Sequence, residues 1–125
     1  HLANLIFAHD GPRVAAIVDW EMCTIGDPLL DLGWLVAMWP MGNAQVPGLA
    51  SPREIVACYA ALSDRDLSAI DWYAVMACFK LGIVLEGTHA RAFAGKAPKD
   101  IGDLLHATTL DLFARAGHIM RNSLE

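Results

Sequence analysis

Two oxygen-bearing side chains near the start of the chain, Asn4 and Asp19, have the types and the spacing to bind a divalent cation. Asn4 precedes a short β-type run, Asp19 ends a second one, and Asp10-Gly11 between them predicts a β-hairpin over about residues 4–19. Because paired strands lie ~4.8 Å apart, the hairpin would bring a carboxamide oxygen and a carboxylate to one point. Hard oxygen ligands of this kind suit Mg²⁺, which also takes phosphate oxygens and waters. On spacing alone, the alternative stays open that Asn4 only caps a turn and Asp19 only caps the segment that follows it.

The rest of the chain has the hydrophobic spacing of helices, so the predicted fold is mainly α with one N-terminal β-hairpin. A helix cap followed by proline opens the first helix at Asp27-Pro28 and the second at Ser51-Pro52, where Glu54 completes a capping box. The predicted helices span about residues 27–39, 51–62, 67–85 (with an extension to 93 left open) and 101–116. Apolar stripes predict the core faces of the last two: Ile70, Ala74, Ala77, Leu81 and Val84, and then Ile101, Leu104, Leu105, Thr108 and Leu112.

Composition narrows the function classes. The chain has 125 residues, of which 55% are hydrophobic and 18% are charged, and its net charge is −5. Ordinary domains carry roughly 25% charged residues, so this chain is unusually apolar. It therefore has either a very apolar core or apolar surface that another segment covers. The negative charge argues against a nucleic-acid partner, which would need a basic face.

Cysteine usage and hydropathy bear on the compartment. Cys23, Cys58 and Cys78 are odd in number and lack C-x-x-C spacing, so we expect reduced thiols in a cytoplasmic protein. Prolines and glycines interrupt the uncharged stretch over residues 32–52, so we expect no membrane partner. The chain begins at His1 without an initiator Met or a signal peptide, and we expect it to be a fragment of a longer protein.

The five histidines and the glycines offer little chemistry as motifs. No two histidines have the H-x-x-x-H spacing of a helical zinc site, so we expect no metal role for them. There is no G-x-S-x-G elbow of a hydrolase and no glycine-rich phosphate loop. The chemistry is therefore expected in the first 31 residues.

Three segments in this region occur in a known order. Residues 1–7 (HLANLIF) resemble the end of the loop H-G-D-x-H-x-x-N-x-x-F, residues 17–21 (IVDWE) resemble its I-D-W-E segment, and residues 26–32 (GDPLLDL) resemble the G-D-P-x-x-D-L that follows. Together they resemble the aminoglycoside phosphotransferase-like (choline-kinase-like) family. Residues 79–87 (FKLGIVLEG) and 90–92 (ARA) are similar to its branch related to kinase-like domains fused to acyl-CoA dehydrogenases.

The resemblance implies a two-lobed, protein-kinase-like α+β fold, of which residues 1–125 would be most of the C-terminal lobe. Residues 1–19 would be the end of the catalytic loop plus the hairpin, residues 20–33 the metal loop and helix start, and residues 34–125 a helical substrate-side region. The kinase pattern places the catalytic Asp five positions before the metal-binding Asn, which is two residues before His1. The missing N-terminal lobe of the same protein is an implied partner, and the chain alone is expected to be inactive.

The family pattern also implies roles for particular residues. Asn4 and Asp19 would bind Mg²⁺ and, through it, the β- and γ-phosphates of ATP. His1 and Glu21 would support this site. Asp27 would cap the following helix. Asp31 would hold the catalytic loop by hydrogen bonds, unless it is only a first-turn carboxylate favoured by the helix dipole.

The implied reaction moves the γ-phosphoryl group of ATP to a hydroxyl of a small-molecule substrate. Candidate substrate-side residues follow, although packing or plain surface exposure is the alternative for each: Trp39, Trp72, Tyr73, Glu86, His89 and Arg91. Two other functions stay open, namely a pseudokinase or nucleotide-binding interaction module, and a non-catalytic helical scaffold. Without the other lobe, the hairpin and the helix from Asp27 are expected to expose apolar surface and favour self-association.

Overall fold

The computed structural model describes residues 2–21, 23–39 and 48–124, so His1 and its predicted support role lie outside the described residues. A 3₁₀ turn at Leu2–Asn4 leads into a hairpin and four helices. The elements are β1 (Leu5–Phe7), β2 (Val14–Ile17), α1 (Leu29–Ala37), α2 (Pro52–Ala61), α3 (Ile70–Phe93) and α4 (Lys99–Asn122). The predicted mainly helical fold with one hairpin is confirmed.

The hairpin has a wider turn than Asp10-Gly11 predicts. Leu5 pairs with Ile17, and the register shifts by a bulge at Ile6 and Phe7. A two-residue turn would need positive φ at Gly11 and an N–H at the next residue, but Gly11 has no positive φ and Pro12 has no N–H. The hairpin instead closes one residue pair further from the turn, where the Ala8 N–H donates a hydrogen bond to the Arg13 carbonyl at 2.8 Å.

Side chains from outside α1 form hydrogen bonds with the backbone at its two ends, one from a residue before the helix and one from a residue far after it. Asp27 Oδ1 accepts a hydrogen bond from the Leu29 N–H at 2.9 Å, and Pro28 between them has helical dihedral angles. At the other end, the Arg115 guanidinium of α4 donates to the carbonyls of Val36 at 3.0 Å and of Trp39 at 2.7 Å. These bonds satisfy backbone groups that a helix leaves without internal partners.

Helix α2 begins with the predicted capping box. The Glu54 N–H donates to Ser51 Oγ at 3.2 Å, and the Ser51 N–H donates to Glu54 Oε2 at 2.7 Å. The Ser51 N–H, and after it the Ser51 hydroxyl that donates to the same oxygen at 2.9 Å, lower the pKa of Glu54. The sequence signature S-P-R-E therefore predicts this helix start correctly.

The core lies where α3 packs between α1 and α4. Its most buried side chains come from all three helices and from the C-terminal segment: Leu29, Leu32, Val36, Ala37, Ile70, Ala74, Ala77, Cys78, Leu112, Ala116, Ile119 and Leu124. Gly33 sets the approach of α1 to α3, since a Cβ there would lie 2.6 Å from the Tyr73 Cβ. Such a distance leaves no room for any other residue type in this packing.

The predicted core face of α4 is wrong in part. Ile101 and Leu104 are exposed, Leu104 to 61%, whereas Gly102, Thr109 and Leu112 are buried. Small residues on α4 let the two long helices approach closely, so the larger side chains turn outward. On α3, Val84 of the predicted stripe is likewise exposed, to 67%.

Both long helices extend beyond their predicted ends. Helix α4 continues past Gly117 to Asn122, and α3 reaches Phe93, the extension that the sequence left open.

The three cysteines are free, and burial raises the pKa of the Cys78 thiol. In the described part of the chain, no helix combines the length and the apolar character needed to cross a membrane.

Candidate functional site

The base of the hairpin brings Asn4 and Asp19 together. Asn4 Nδ2 donates a hydrogen bond to Asp19 Oδ2 at 3.2 Å. Backbone pairing continues past the ends of the strands, because the Val18 N–H donates to the Asn4 carbonyl at 3.0 Å. The amide and the carboxylate thus lie at one point although 15 positions separate them in the sequence.

Asp19 has an unusual backbone conformation. Its φ is 69°, in the left-handed region, where a residue other than glycine has a strain of about 1–3 kcal/mol. Next to it, Trp20 Nε1 donates to the Ile17 carbonyl at 2.6 Å, which folds the indole back along the hairpin. Residues in this conformation concentrate at functional sites, and here the carboxylate of such a residue accepts the hydrogen bond from Asn4.

The pair has the donor set of a magnesium site. Asp19 is exposed and Asn4 is half-buried, so both can reach a cation that keeps waters and phosphate oxygens. The amide presents its NH₂ group to the carboxylate, and a half-turn about the Asn4 Cβ–Cγ bond presents the oxygen instead. The residues present therefore fit a cation held by one carboxylate oxygen and one carboxamide oxygen.

Asp27 anchors the segment after this pair to the helical body. Its Oδ2 accepts a hydrogen bond from the Tyr73 hydroxyl at 2.6 Å, while Oδ1 caps α1 through Leu29. These two bonds, the one from Tyr73 first, lower the pKa of Asp27. Glu21 is exposed in the loop after the hairpin, and Asp31 is exposed in the first turn of α1. The support roles of Glu21 and Asp31 stay predictions.

The candidate substrate-side residues differ in their surroundings. Trp39 Nε1 donates to the Ala50 carbonyl at 2.7 Å. Trp72 packs edge-to-face on Tyr73, with ring centroids 5.0 Å apart. Arg91 is exposed near the end of α3.

Helix geometry separates these candidates into two groups. Tyr73 and Glu86 are 13 positions apart on α3, which is about 20 Å at ~1.5 Å per residue. The six candidates therefore do not line a single pocket, and the residues near Glu86 form a cluster of their own.

That cluster contains a residue that the sequence reasoning missed. His106, on α4, lies with Glu86 and His89 of α3, and ligand atoms from the three side chains all lie within 4.8 Å of one another. The expectation of no metal role for histidine rests on the H-x-x-x-H spacing alone. Glu86 and His89 instead have E-x-x-H spacing, which also places two ligands on one helix face.

Comparisons with known proteins agree with the motifs. Residues 1–51 match the model of the family described as "Phosphotransferase enzyme family". The matched residues include all three motifs, so the resemblance of the motifs to this family is confirmed.

Relatives with longer chains match beyond the motifs. Acyl-CoA dehydrogenase family member 11 of Mus musculus is 30% identical over 93% of this chain and 16% of its own length. The protein of the same name from Rattus norvegicus is 28% identical over the same shares. Acyl-CoA dehydrogenase family member 10 of Mus musculus is 26% identical over 77% of this chain and 10% of its own length. The chain thus spans between 10% and 16% of these relatives, and no solved structure matches it.

Proposed function

We propose that this chain is part of the C-terminal lobe of a Mg²⁺-dependent phosphotransferase that moves the γ-phosphoryl group of ATP to a hydroxyl of a small molecule. The observation that carries the proposal is the Asn4–Asp19 pair at the base of the hairpin, with Asn4 Nδ2 3.2 Å from Asp19 Oδ2. Residues 1–19 then end the catalytic loop and form the hairpin, residues 20–33 form the metal loop, and residues 34–125 form the helical substrate side.

The residues of this chain would position the nucleotide rather than carry out proton transfer. Asp19 and Asn4 would hold Mg²⁺, which supplies neutralisation of charge on the transferred phosphoryl group. The hydrogen bond from Asn4 supports this role, because it holds the Asp19 carboxylate beside the carboxamide. Asp27 would keep the metal loop in register with the helical body through its hydrogen bond with Tyr73.

The proton acceptor lies outside this chain in the proposal. The kinase spacing puts an Asp two residues before His1, where it would take the proton of the substrate hydroxyl. Residues 1–125 alone are then inactive, because they lack both this carboxylate and the lobe that covers the phosphates. We favour a hydroxylated acyl compound as the acceptor, since the matching relatives are named acyl-CoA dehydrogenases.

The exposed hairpin supports a covering partner. Large apolar side chains there are open to solvent, including Ile6, Phe7, Val14, Ile17 and Trp20. The N-terminal lobe of the same protein would cover them, and a chain without that lobe would self-associate through them. We place the protein in the cytoplasm, because free thiols suit a reducing compartment.

The experiment measures phosphoryl transfer by the full-length protein. ATP labelled at the γ-phosphoryl group is incubated with Mg²⁺ and a panel of hydroxyl compounds that includes hydroxyacyl-CoA thioesters. The test variant is Asp19→Ala. Its matched control is Asp10→Ala, because Asp10 lies at the far end of the same hairpin and pairs with Arg13.

We expect labelled product from the natural protein and the Asp10→Ala variant, and none from the Asp19→Ala variant. Tight Mg²⁺–ATP binding without transfer to any acceptor would instead indicate a nucleotide-binding module. Equal turnover by the Asp19→Ala variant would contradict the proposed metal site.

A further inference from the structure

Three metal-ligating side chains meet where α3 and α4 pack together, away from the hairpin. His89 Nδ1 lies 2.9 Å from Glu86 Oε1, and His106 Nδ1 lies 2.9 Å from Glu86 Oε2. The two imidazole rings stack with centroids 4.3 Å apart and planes 25° from parallel. Both rings thus direct a nitrogen at the same carboxylate.

We propose that Glu86, His89 and His106 form a second cation site, which binds a divalent transition metal such as Zn²⁺. Two imidazoles and one carboxylate are a common zinc ligand set, with a fourth position left for water or substrate. Ligand atoms about 2.1 Å from a tetrahedral Zn²⁺ lie roughly 3.4 Å from one another. The 2.9 Å contacts are close to this separation, so small side-chain rotations would admit the ion. The site is independent of the proposed phosphotransferase chemistry.

The backbone brings the third ligand into place. Glu86 and His89 are three positions apart on α3 and therefore share a face. Gly102 of α4 packs onto that face, since a Cβ at Gly102 would lie 2.3 Å from the Ala92 Cβ and 3.5 Å from the His89 Cα. His106 follows Gly102 by about one helical turn, so the close approach at glycine places its imidazole beside His89.

Access and charge also suit a cation. The side chains are 41% exposed at Glu86, 25% at His89 and 41% at His106, which leaves an entry path from solvent. Asp103 lies nearby on α4 and pairs with Lys99, and the hydrogen bond from Lys99 lowers the pKa of Asp103. The charges of Asp103 and Lys99 offset each other, so Glu86 supplies the negative charge of the site.

A simpler arrangement would be a hydrogen-bonded clamp between α3 and α4 with no metal. In that case Glu86 only accepts hydrogen bonds from both imidazoles, which lower its pKa. The two arrangements differ in metal affinity, so a binding measurement separates them.

The test titrates Zn²⁺, and separately Co²⁺, into untagged full-length protein that has been freed of metal. Calorimetry gives the affinity, and the visible bands of bound Co²⁺ report a site with nitrogen and oxygen ligands. The variants are His106→Ala and the nearly isosteric Glu86→Gln, and His9→Ala is the control because His9 is an exposed histidine at the hairpin turn. The Asp19→Ala variant tests whether Zn²⁺ binds at the hairpin instead of at this site.

We expect one Zn²⁺ per protein at these residues, with affinity about 100-fold lower in both the His106→Ala and the Glu86→Gln variants. The His9→Ala and Asp19→Ala variants should bind as the natural protein does, and Zn²⁺ should raise the melting temperature only where the three ligands are intact. Should His106→Ala fail to fold, Glu86→Gln gives the same comparison. No Zn²⁺ binding, or equal binding in all variants, would overturn the proposal and leave the clamp or an adventitious surface ion.

Discussion

The hairpin and the α3–α4 pair hold their polar side chains by different means. At the hairpin, backbone pairing and a left-handed Asp19 place the carboxylate, and all four residues of β2 remain exposed. Between the long helices, buried small residues allow close packing, and Thr109 Oγ1 donates to the Gly82 carbonyl at 3.2 Å inside the interface. The helix pair is thus supported by its own core, whereas the hairpin is held mainly by local contacts.

This difference explains where sequence motifs and structure are each informative. The hairpin site is compact in sequence, so residue types and spacing already point to its chemistry. The site between the helices joins Glu86 to a residue 20 positions away on another helix, so it depends on how the helices pack. We expect changes at the hairpin to affect activity with little effect on stability, and changes at the helix interfaces to do the opposite.

The largest expected effect comes from replacing Asp19 by glycine in the full-length protein. Loss of the metal ligand should lower phosphoryl transfer by about 100-fold or more, since a bound cation contributes several kcal/mol and each 1.36 kcal/mol is tenfold in rate. Glycine tolerates the positive φ of this position, so the melting temperature should not fall. Turnover and thermal unfolding are measured on the same sample. A lowered melting temperature together with full activity would contradict the expectation that changes at the hairpin affect activity rather than stability.

A second, smaller effect is expected at the contact between α1 and α3. Gly33→Ala would place a Cβ 2.6 Å from the Tyr73 Cβ and 2.7 Å from its backbone carbon, and such overpacking costs about 1–3 kcal/mol of unfolding free energy. Gly87→Ala in α3 is the matched control, because no atom lies within 4 Å of its added Cβ.

Urea unfolding of both glycine variants measures this effect. Gly87→Ala should gain up to about 1 kcal/mol from helix propensity, since it adds a methyl group without a clash. Equal free energies of unfolding in the two variants would show that α1 does not pack on α3 as described.

The smallest expected effect concerns pH and the bond between Asp27 and Tyr73. The Tyr73 hydroxyl and the Leu29 N–H lower the folded-state pKa of Asp27 below 3.8, so the ionised carboxylate stabilises the fold above that pH. This contribution is lost as the pH falls through the folded-state pKa. Tyr73→Phe should therefore lower the melting temperature by a few degrees near pH 6, and by less near pH 3. A difference between the two proteins that is constant from pH 3 to pH 7 would contradict this assignment.

Local signals predict much of this molecule from sequence. The S-P-R-E signature predicts the start of α2, because a capping box is completed within four residues. The hairpin and the closeness of Asn4 and Asp19 follow from two short runs with turn residues between them. The turn itself differs, because Pro12 removes the N–H that a tight turn would use.

Packing between distant elements could not be predicted in the same way. Burial of Gly102 and Thr109 instead of Ile101 and Leu104 depends on how closely α4 approaches α3. The same approach puts His106 beside Glu86. The stripe of large apolar residues predicts one buried face of α4. The small residues lie on another face, and that face can approach α3 more closely.

The most direct test of the proposed metal site is the affinity of the full-length protein for ATP with and without Mg²⁺. If Asp19 holds Mg²⁺, then Mg²⁺ strengthens ATP binding in the natural protein and in the Asp10→Ala control, and Asp19→Ala removes at least about tenfold of this gain. An unchanged Mg²⁺-dependent affinity in the Asp19→Ala variant would contradict the proposed metal site and leave Asp19 as only a residue that closes the hairpin.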